Sequence, residues 1–468
     1  MTIPPQAAPY RPETAILELG EAFYDRVRPA DFPQAILRYR NDRWAGAVGL
    51  EGLGEQAWTA RFGRFDPLPD NLPEPLALRY HGHQFRVYNP DIGDGRGFLF
   101  AQLRDGAGRL LDLGTKGSGQ TPYSRFGDGR LTLKGGMREV LATEMLEALG
   151  VETSKSFSLI ETGEALERGD EPSPTRSSVL VRLQHSHIRI GTFQRLAYFD
   201  EADNLRRLCD YCLRHYYGET GGEDGPGRLL DHVSRETARL AASYIAAGFV
   251  HGVLNSDNIA ITAQSFDYGP WRFTPFWDSG FTAAYFDHAG LYSFGRQPEA
   301  VHWDLVQLAA SLRYLARAET LTPALAAFPA RFQAALVEAV FARLGIRRRE
   351  PERDTDLLAA LEAALAAKAV EIDRFFFDWR GGRRRAPSPA DAAYRDEAFV
   401  AMERTLKEYE PVPGALDHEH WSDKAPCSMH IDEVEAIWSR IDEADDWAPF
   451  HAKIAAVRRM GKALARPA

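Results

Sequence analysis

The chain has 468 residues and a mass of 52.3 kDa, with 44% hydrophobic and 26% charged residues. Such a composition buries a core, and 39 glycines and 28 prolines are too few for a low-complexity chain. Acidic residues outnumber basic ones, 66 to 56, and the formal net charge of -10 speaks against a general nucleic-acid binder.

Met1 to Tyr10 lacks a basic patch followed by an apolar core, so no secretory signal is expected. Residues 1–75 mix aromatic and proline-rich segments without clean periodicity and read as an N-terminal extension packed on the lobes. From 76 to 200 the pattern is strand-rich. Phe98–Leu103 and Leu110–Leu113 flank the turn Asp105-Gly106-Ala107-Gly108 and predict a β-hairpin. Met137, Val140, Leu141, Met145 and Leu149 share one face of a helix that Gly150 stops. Ser178–Leu183 is again strand-like, and 218–227 reads as a loop.

Residues 201–378 read as a helical lobe. Val233, Thr237, Leu240, Tyr244 and Ile245 mark one helix, ended by Gly248, and Val301, Leu305, Leu308, Leu312 and Leu315 mark another. Trp303-Asp304 reads as packing plus an N-terminal cap at that helix's start. Residues 320–378 suit surface helices packed on a lobe, Arg380–Arg385 reads as a solvated basic turn, and 379–468 reads as a C-terminal helical extension. No apolar run approaches the roughly 20 residues that span a bilayer, so no membrane partner is expected. Three cysteines cannot build a disulfide framework, which leads to a reducing, cytoplasmic setting. The fold class is α+β, with a strand-rich N-lobe and a helical C-lobe.

The chemistry concentrates in His251-Gly-Val-Leu-Asn255-Ser-Asp257-Asn258, followed by Asp267-Tyr268-Gly269. Protein kinases carry H-R-D-L-x-x-x-N and then D-F-G, whose Asn and second Asp hold magnesium on ATP. Here His251 and Asn258 keep the spacing, but Val253 stands where the kinase has its catalytic Asp. Asp257 is the only nearby carboxylate, so the base is missing or relocated. Upstream lie Gly93-Asp-Gly95-Arg96-Gly97, a turn able to approach phosphate, then Lys116 after a strand and Glu139 on a helix as its partner. Only eight of the basic residues are lysine, which draws attention to Lys116. Arg182 and Arg189 could clamp phosphate oxygens. The pairs His81/His83 and His185/His187 lack a third zinc ligand and read as structural, and Cys209/Cys212 read as ordinary helical cysteines.

Gly82-His83-Gln84-Phe85, Gly93–Gly97, Lys116-Gly117 with Thr121–Arg130, Arg138-Glu139, Ser186–Arg189 and His251–Asn258 closely resemble the selenoprotein O family. The resemblance runs from about 80 to 310. It implies a protein-kinase-like two-lobed fold and transfer of AMP from ATP to Ser, Thr or Tyr hydroxyls of proteins. It further implies ATP contacts from Gly93, Gly95, Arg96, Lys116, Asp128, Gly129, Arg182, Arg189 and Asp267, and Glu139 as the partner of Lys116. Asp257 would be the proton acceptor, and Asn258 with Asp267 would hold Mg²⁺, with Mn²⁺ as an alternative. The chain departs from the family in having no cysteine near its C-terminus or in 281–287, which sets redox gating aside. Kinase-type phosphoryl transfer and a catalytically dead ATP-binding scaffold are the competing readings.

Overall fold

The computed structural model describes residues 6–169, 171–385 and 387–465. The chain opens with β1 (Pro12–Glu13), β2 (Tyr24–Arg26), β3 (Ile36–Arg40), α1 (Asp42–Ala47), α2 (Glu55–Phe62) and β4 (Leu76–Leu78). A small hairpin follows, β5 (Gly82–Gln84) and β6 (Val87–Asn89). Then come β7 (Leu99–Arg104), β8 (Leu110–Lys116), β9 (Leu131–Thr132), α3 (Leu133–Ala148), β10 (Lys155–Leu166) and β11 (Thr175–Gln184). Apart from β5 and β6 these strands make one antiparallel sheet, ordered β2-β4-β7-β8-β11-β10-β3, with β1 on β7 and β9 on β11. Three of its strands thus come from residues before 75.

Each face of the sheet is covered. Trp44 of α1 and Trp58 and Phe62 of α2 pack with Phe65, Phe98, Phe100 and Phe157 on one side. On the other, Met137, Val140, Leu141 and Met145 of α3 meet Leu159 and Leu180. Register then aligns the site. Lys116 lies opposite Leu180 and Gly114 opposite Arg182. Because facing residues share a side and side chains alternate with period two, Lys116 and Arg182 project from the same face. Gly114 cannot be replaced cheaply: a Cβ there would fall 2.1 Å from His187 Nε2.

The second half is helical, with α4 (Ile190–Tyr198), α5 (Ala202–Tyr217), α6 (Gly225–Ala247), the short pair β12 (Phe249–Val250) and β13 (Arg272–Phe273), and α7 (Gln297–Leu312). Gly248 ends α6 at φ +70°, the left-handed conformation glycine adopts freely. Further on are α8 (Ala318–Ala326), α9 (Phe328–Leu344), α10 (Pro351–Leu365), α11 (Ile372–Asp378), α12 (Glu397–Leu406), α13 (Ile431–Ala444) and α14 (Ala448–Leu464). α14 returns to α3, where Arg458 Nε donates to Glu144 Oε2 at 2.8 Å.

Three sequence expectations need correction. Trp303 and Asp304 lie well inside α7, which begins at Gln297, so they are no helix cap; Asp304 is fully buried. Arg380–Arg385 is a turn in which Arg383 and Arg384 are exposed as expected, but its first arginine is not solvated. Arg380 is buried and donates to the carbonyls of Ala342 (2.7 Å) and Arg343 (2.9 Å), closing the C-terminal end of α9. Residues 320–378 do more than pack on a lobe from its surface: Val340, Phe341, Leu357, Leu361 and Phe375 build a second buried core. An 18-residue stretch within Ala318–Leu344 reaches a mean hydropathy of 1.3, apolar and long enough to cross a membrane by composition, although the segment divides into α8 and α9 and packs on α6.

Candidate active site

Between the sheet and the helical half lies a cleft of about 710 Å³. Gly93, Gly95, Arg96, Lys116, Asp128, Gly129, Arg182, Arg189, Asp257 and Asp267 all line it. Glu139 stands behind Lys116, and Asn258 is buried beside Asp257 in the short turn Ser256–Asn258. In a chain of net charge -10, the walls carry seven cationic side chains and five carboxylates, so the cleft is locally cationic.

Lys116 sits at the end of β8 and is buried, where an unpaired ammonium would be costly. Its Nζ is gripped by Glu139 from the second turn of α3 and by Asp267. Arg182 Nη1 approaches the same Asp267 oxygen at 3.6 Å. Burial alone would raise the Asp267 carboxyl, but Lys116, then Arg182, Arg96 and Arg189 hold it well below the usual carboxylate range. Its backbone is left-handed, φ +63°, a strain that persists where neighbours over-determine the geometry. Arg182 Nε and Nη1 are buried without a hydrogen-bond partner among the described residues. Orphaned guanidinium N–H groups in a cationic cleft are places for an anion.

Asp257 is held differently. The loop 251–271 hangs between β12 and β13, and His251 Nε2 meets the Phe266 carbonyl at 2.9 Å to close it. Gly252, at φ +83°, has no room for a Cβ, which would lie 2.3 Å from the Pro270 carbonyl. Arg189 caps α4 and donates to the Asp257 carbonyl at 2.9 Å and to Asp94 Oδ1 at 3.1 Å. Its guanidinium lies over Tyr80 at 4.2 Å and Phe266 at 4.7 Å. Much of Arg189 is therefore occupied in holding the loop. Burial raises the Asp257 carboxyl to about 6, Arg189 opposes the rise, and Asp267 adds to it. Asp257 Oδ1 has no hydrogen-bond partner among the described residues. A carboxylate of that basicity with a vacant oxygen is equipped to take a proton near neutral pH.

The glycine turn is demanded by packing. At Gly93 a Cβ would lie 2.5 Å from the Tyr123 ring, and at Gly97 2.0 Å from the Thr115 carbonyl. Asp128 is exposed at the mouth, paired with Arg168 at 2.8 Å. The histidine pairs are structural in position: His83 Nδ1 meets Gln194 at 2.7 Å, and His187 is buried against Gly114.

Gln84 and Asp94, to which residue order alone assigns no role, also join the site. Gln84 lines the cleft near Asp257 and favours its carboxylate form. Asn89 donates to Gln84 Oε1 at 3.0 Å, which fixes the orientation of the Gln84 amide. Asp94 orients Arg189. Gln84 belongs to the Gly82–Phe85 motif, but only the fold reveals what it touches.

A buried lysine–glutamate pair, an aspartate held by that lysine and a cationic cleft between a sheet and a helical half are the parts of a nucleotide-using transferase site. Residues 7–458 match the family described as protein adenylyltransferase SelO, and the chain belongs to that family. It is 44% identical to a protein nucleotidyltransferase YdiU of Gloeobacter violaceus, over 96% of this chain and 95% of that one. A protein of the same name from Synechocystis sp. is 41% identical, over 94% and 96%. A rhoptry antigen kinase domain of Toxoplasma gondii aligns with 63% of this chain and 84% of its own at 12% identity and a TM-score of 0.29.

Proposed function

We propose that the chain transfers AMP from ATP to a Ser, Thr or Tyr hydroxyl of an acceptor protein, with Asp257 as the proton acceptor. The observation that carries this is the contrast between two carboxylates in one cleft. Asp267 is held anionic by Lys116 and the arginines, whereas Asp257 is raised to about 6 with one oxygen unpartnered among the described residues. Such a split assigns one group to charge and the other to proton transfer.

The acceptor oxygen bonds to the α-phosphorus, the bond from that phosphorus to the bridging oxygen breaks, and pyrophosphate leaves. The hydroxyl proton goes to Asp257. Lys116, Arg96 and Arg182 hold the phosphate oxygens, while Arg189 fixes the loop. Asn258 donates its amide to the Val253 carbonyl at 3.0 Å, which leaves its side-chain oxygen available as a hard donor alongside the Asp267 carboxylate. Those oxygens suit Mg²⁺ or Mn²⁺, which would offset phosphate charge. Three free thiols, two of them buried, support a reducing compartment.

ATP labelled separately at its α- and γ-phosphates, with a protein acceptor and intact-mass readout, tests the reading. Transfer of α-label, abolished by Asp257→Ala, supports it. Uptake of γ-label alone would establish phosphoryl transfer, and binding of ATP without any transfer would establish a scaffold.

A further inference from the structure

We propose that the outer face of the β5–β6 hairpin, with the exposed aromatic residues packed on it, docks the acceptor protein and selects bulky apolar residues beside the modified hydroxyl. The proposal rests on the reading of the cleft as a protein AMP-transfer site.

The inner edge of the hairpin is locked to the catalytic loop. His83 N donates to Ser256 Oγ at 2.8 Å and Phe85 N to Asn255 Oδ1 at 3.0 Å. At Gly82 a Cβ would come 2.9 Å from Asp257 Cβ. Whatever rests on the outer edge is therefore within a few residues of the base. That edge is aromatic and exposed. Tyr285 is 81% exposed, Val87 69%, Tyr198 55% and Phe199 50%. Ring contacts join them to the hairpin from both sides. Tyr285 meets Phe286 at 5.1 Å, and Phe286 meets Phe85 at the hairpin tip at 5.7 Å. On the other flank Tyr88 stacks on Tyr198 at 5.4 Å, and Tyr198 meets Phe199 at 5.0 Å.

Five of the ten large hydrophobic side chains left exposed among the described residues fall on this belt: Val87, Tyr198, Phe199, Tyr285 and Phe286. Single exposed apolar residues need no explanation, but a contiguous belt marks a contact surface. The hairpin tip at the centre of the belt is also fixed. Phe85 and Arg86 form a two-residue turn with φ of +50° and +62° and no glycine. Phe85 packs on Tyr292 at 5.0 Å, and Arg86 pairs with Glu299 at 2.8 Å, fixing that strained tip. A preformed aromatic platform binds with little loss of side-chain entropy. A protein adenylyltransferase must bring a protein hydroxyl to its base, and this surface is continuous with that base. The chemistry it offers is apolar and π-rich, so the fitting partner segment carries Leu, Ile, Val, Phe or Tyr next to the target residue.

The test uses the full chain and two peptide pools with a central Ser, Thr or Tyr, one flanked by Leu, Ile, Val, Phe and Tyr, the other by Ser, Asp and Lys. With α-labelled ATP, the wild type should favour the apolar pool by about tenfold in kcat/KM, about 1.4 kcal/mol. The triple variant Val87→Ser, Tyr198→Ser, Phe199→Ser should bring that ratio near one while the ATP-induced rise in Tm stays unchanged. A ratio near one in the wild type overturns the proposal, as does a triple variant that keeps the preference. So does a wild-type dimer, seen by size-exclusion chromatography, that the variant dissolves with the ratio intact, because the belt is then a self-association face. If Asp257→Ala still labels peptides, the assignment of the base fails, and the flank ratio continues to judge the belt. Labelling of no peptide by a wild-type chain that binds ATP overturns both.

Discussion

Replacing Asp257 with asparagine should damage activity and strengthen the fold at once. Asparagine keeps the shape of the side chain and removes both the charge and the base. The folded carboxyl is raised from 3.8 to about 6, mainly by burial. Two pKa units correspond to about 3 kcal/mol. The sign follows from the direction of the shift. A raised carboxyl is favoured in its protonated form, so the stability it confers is present below its unfolded value and is lost as pH rises through about 6. At pH 8 the wild type carries a buried carboxylate and the variant does not. Without ATP, Asp257→Asn should therefore be more stable by up to about 3 kcal/mol at pH 8, with the gain vanishing near pH 4. Transfer of α-label should fall by roughly 10² to 10⁴, the usual worth of a positioned base. Wild-type transfer should itself fall about tenfold between pH 7 and pH 5 as Asp257 protonates. Denaturant titrations at the two pH values and initial rates settle both halves. A variant less stable than wild type at pH 8, or one whose transfer stays within tenfold, would refute the reasoning.

Three further outcomes follow from particular contacts. Gln84→Leu removes the donor that favours the Asp257 anion, so the acid limb of the rate profile should move to higher pH while ATP binding holds; an unmoved limb would deny Gln84 its orienting part. Gly114→Ala should cost roughly 1–3 kcal/mol of stability in a thermal melt, because its Cβ would collide with the buried His187 ring, and a neutral effect would mean that the ring can swing away. Asp304 is buried with neither oxygen hydrogen-bonded among the described residues, and burial, then the charge of Asp257, raises its carboxyl well above the ordinary range. Asp304→Asn should accordingly raise Tm more at pH 9 than at pH 5, and a difference independent of pH would count against that account.

Much of the site could be read from residue order because kinase-type chemistry needs fixed residue types at fixed loop positions. The turn before β7, Lys116, Glu139, the 251–258 loop and Asp267 stand in chain order as they stand around the cleft. Apolar periodicity also marked α3, α6 and α7, whose buried stripes are long and clean. What stayed hidden depends on contacts between distant segments. The strands before residue 75 are two to five residues long, too short for alternation to register, yet β10 gives β3 an edge to pair with. The Arg380–Arg385 run looks solvated because composition cannot show that Arg380 closes α9 by taking the Ala342 carbonyl, 38 residues upstream. Gln84 and Asp94 act through partners between five and about 170 residues away.

The valine at the kinase base position now has a structural meaning. Val253 does not line the cleft, and its carbonyl accepts the Asn258 amide at 3.0 Å, so this residue serves to orient a donor with its backbone. The proposed base, Asp257, lies four residues on, between the Arg189 clamp and the β5–β6 hairpin. With the base at position 257, as proposed, the acceptor hydroxyl would arrive from the side of the hairpin. A carboxylate restored at position 253 would therefore stand outside the reacting geometry. Val253→Asp placed in the Asp257→Ala background should leave α-label transfer at the level of the single variant, and it should not create γ-label transfer. Rescue by tenfold or more would show that both positions reach the acceptor hydroxyl, and the relocated-base account would fall.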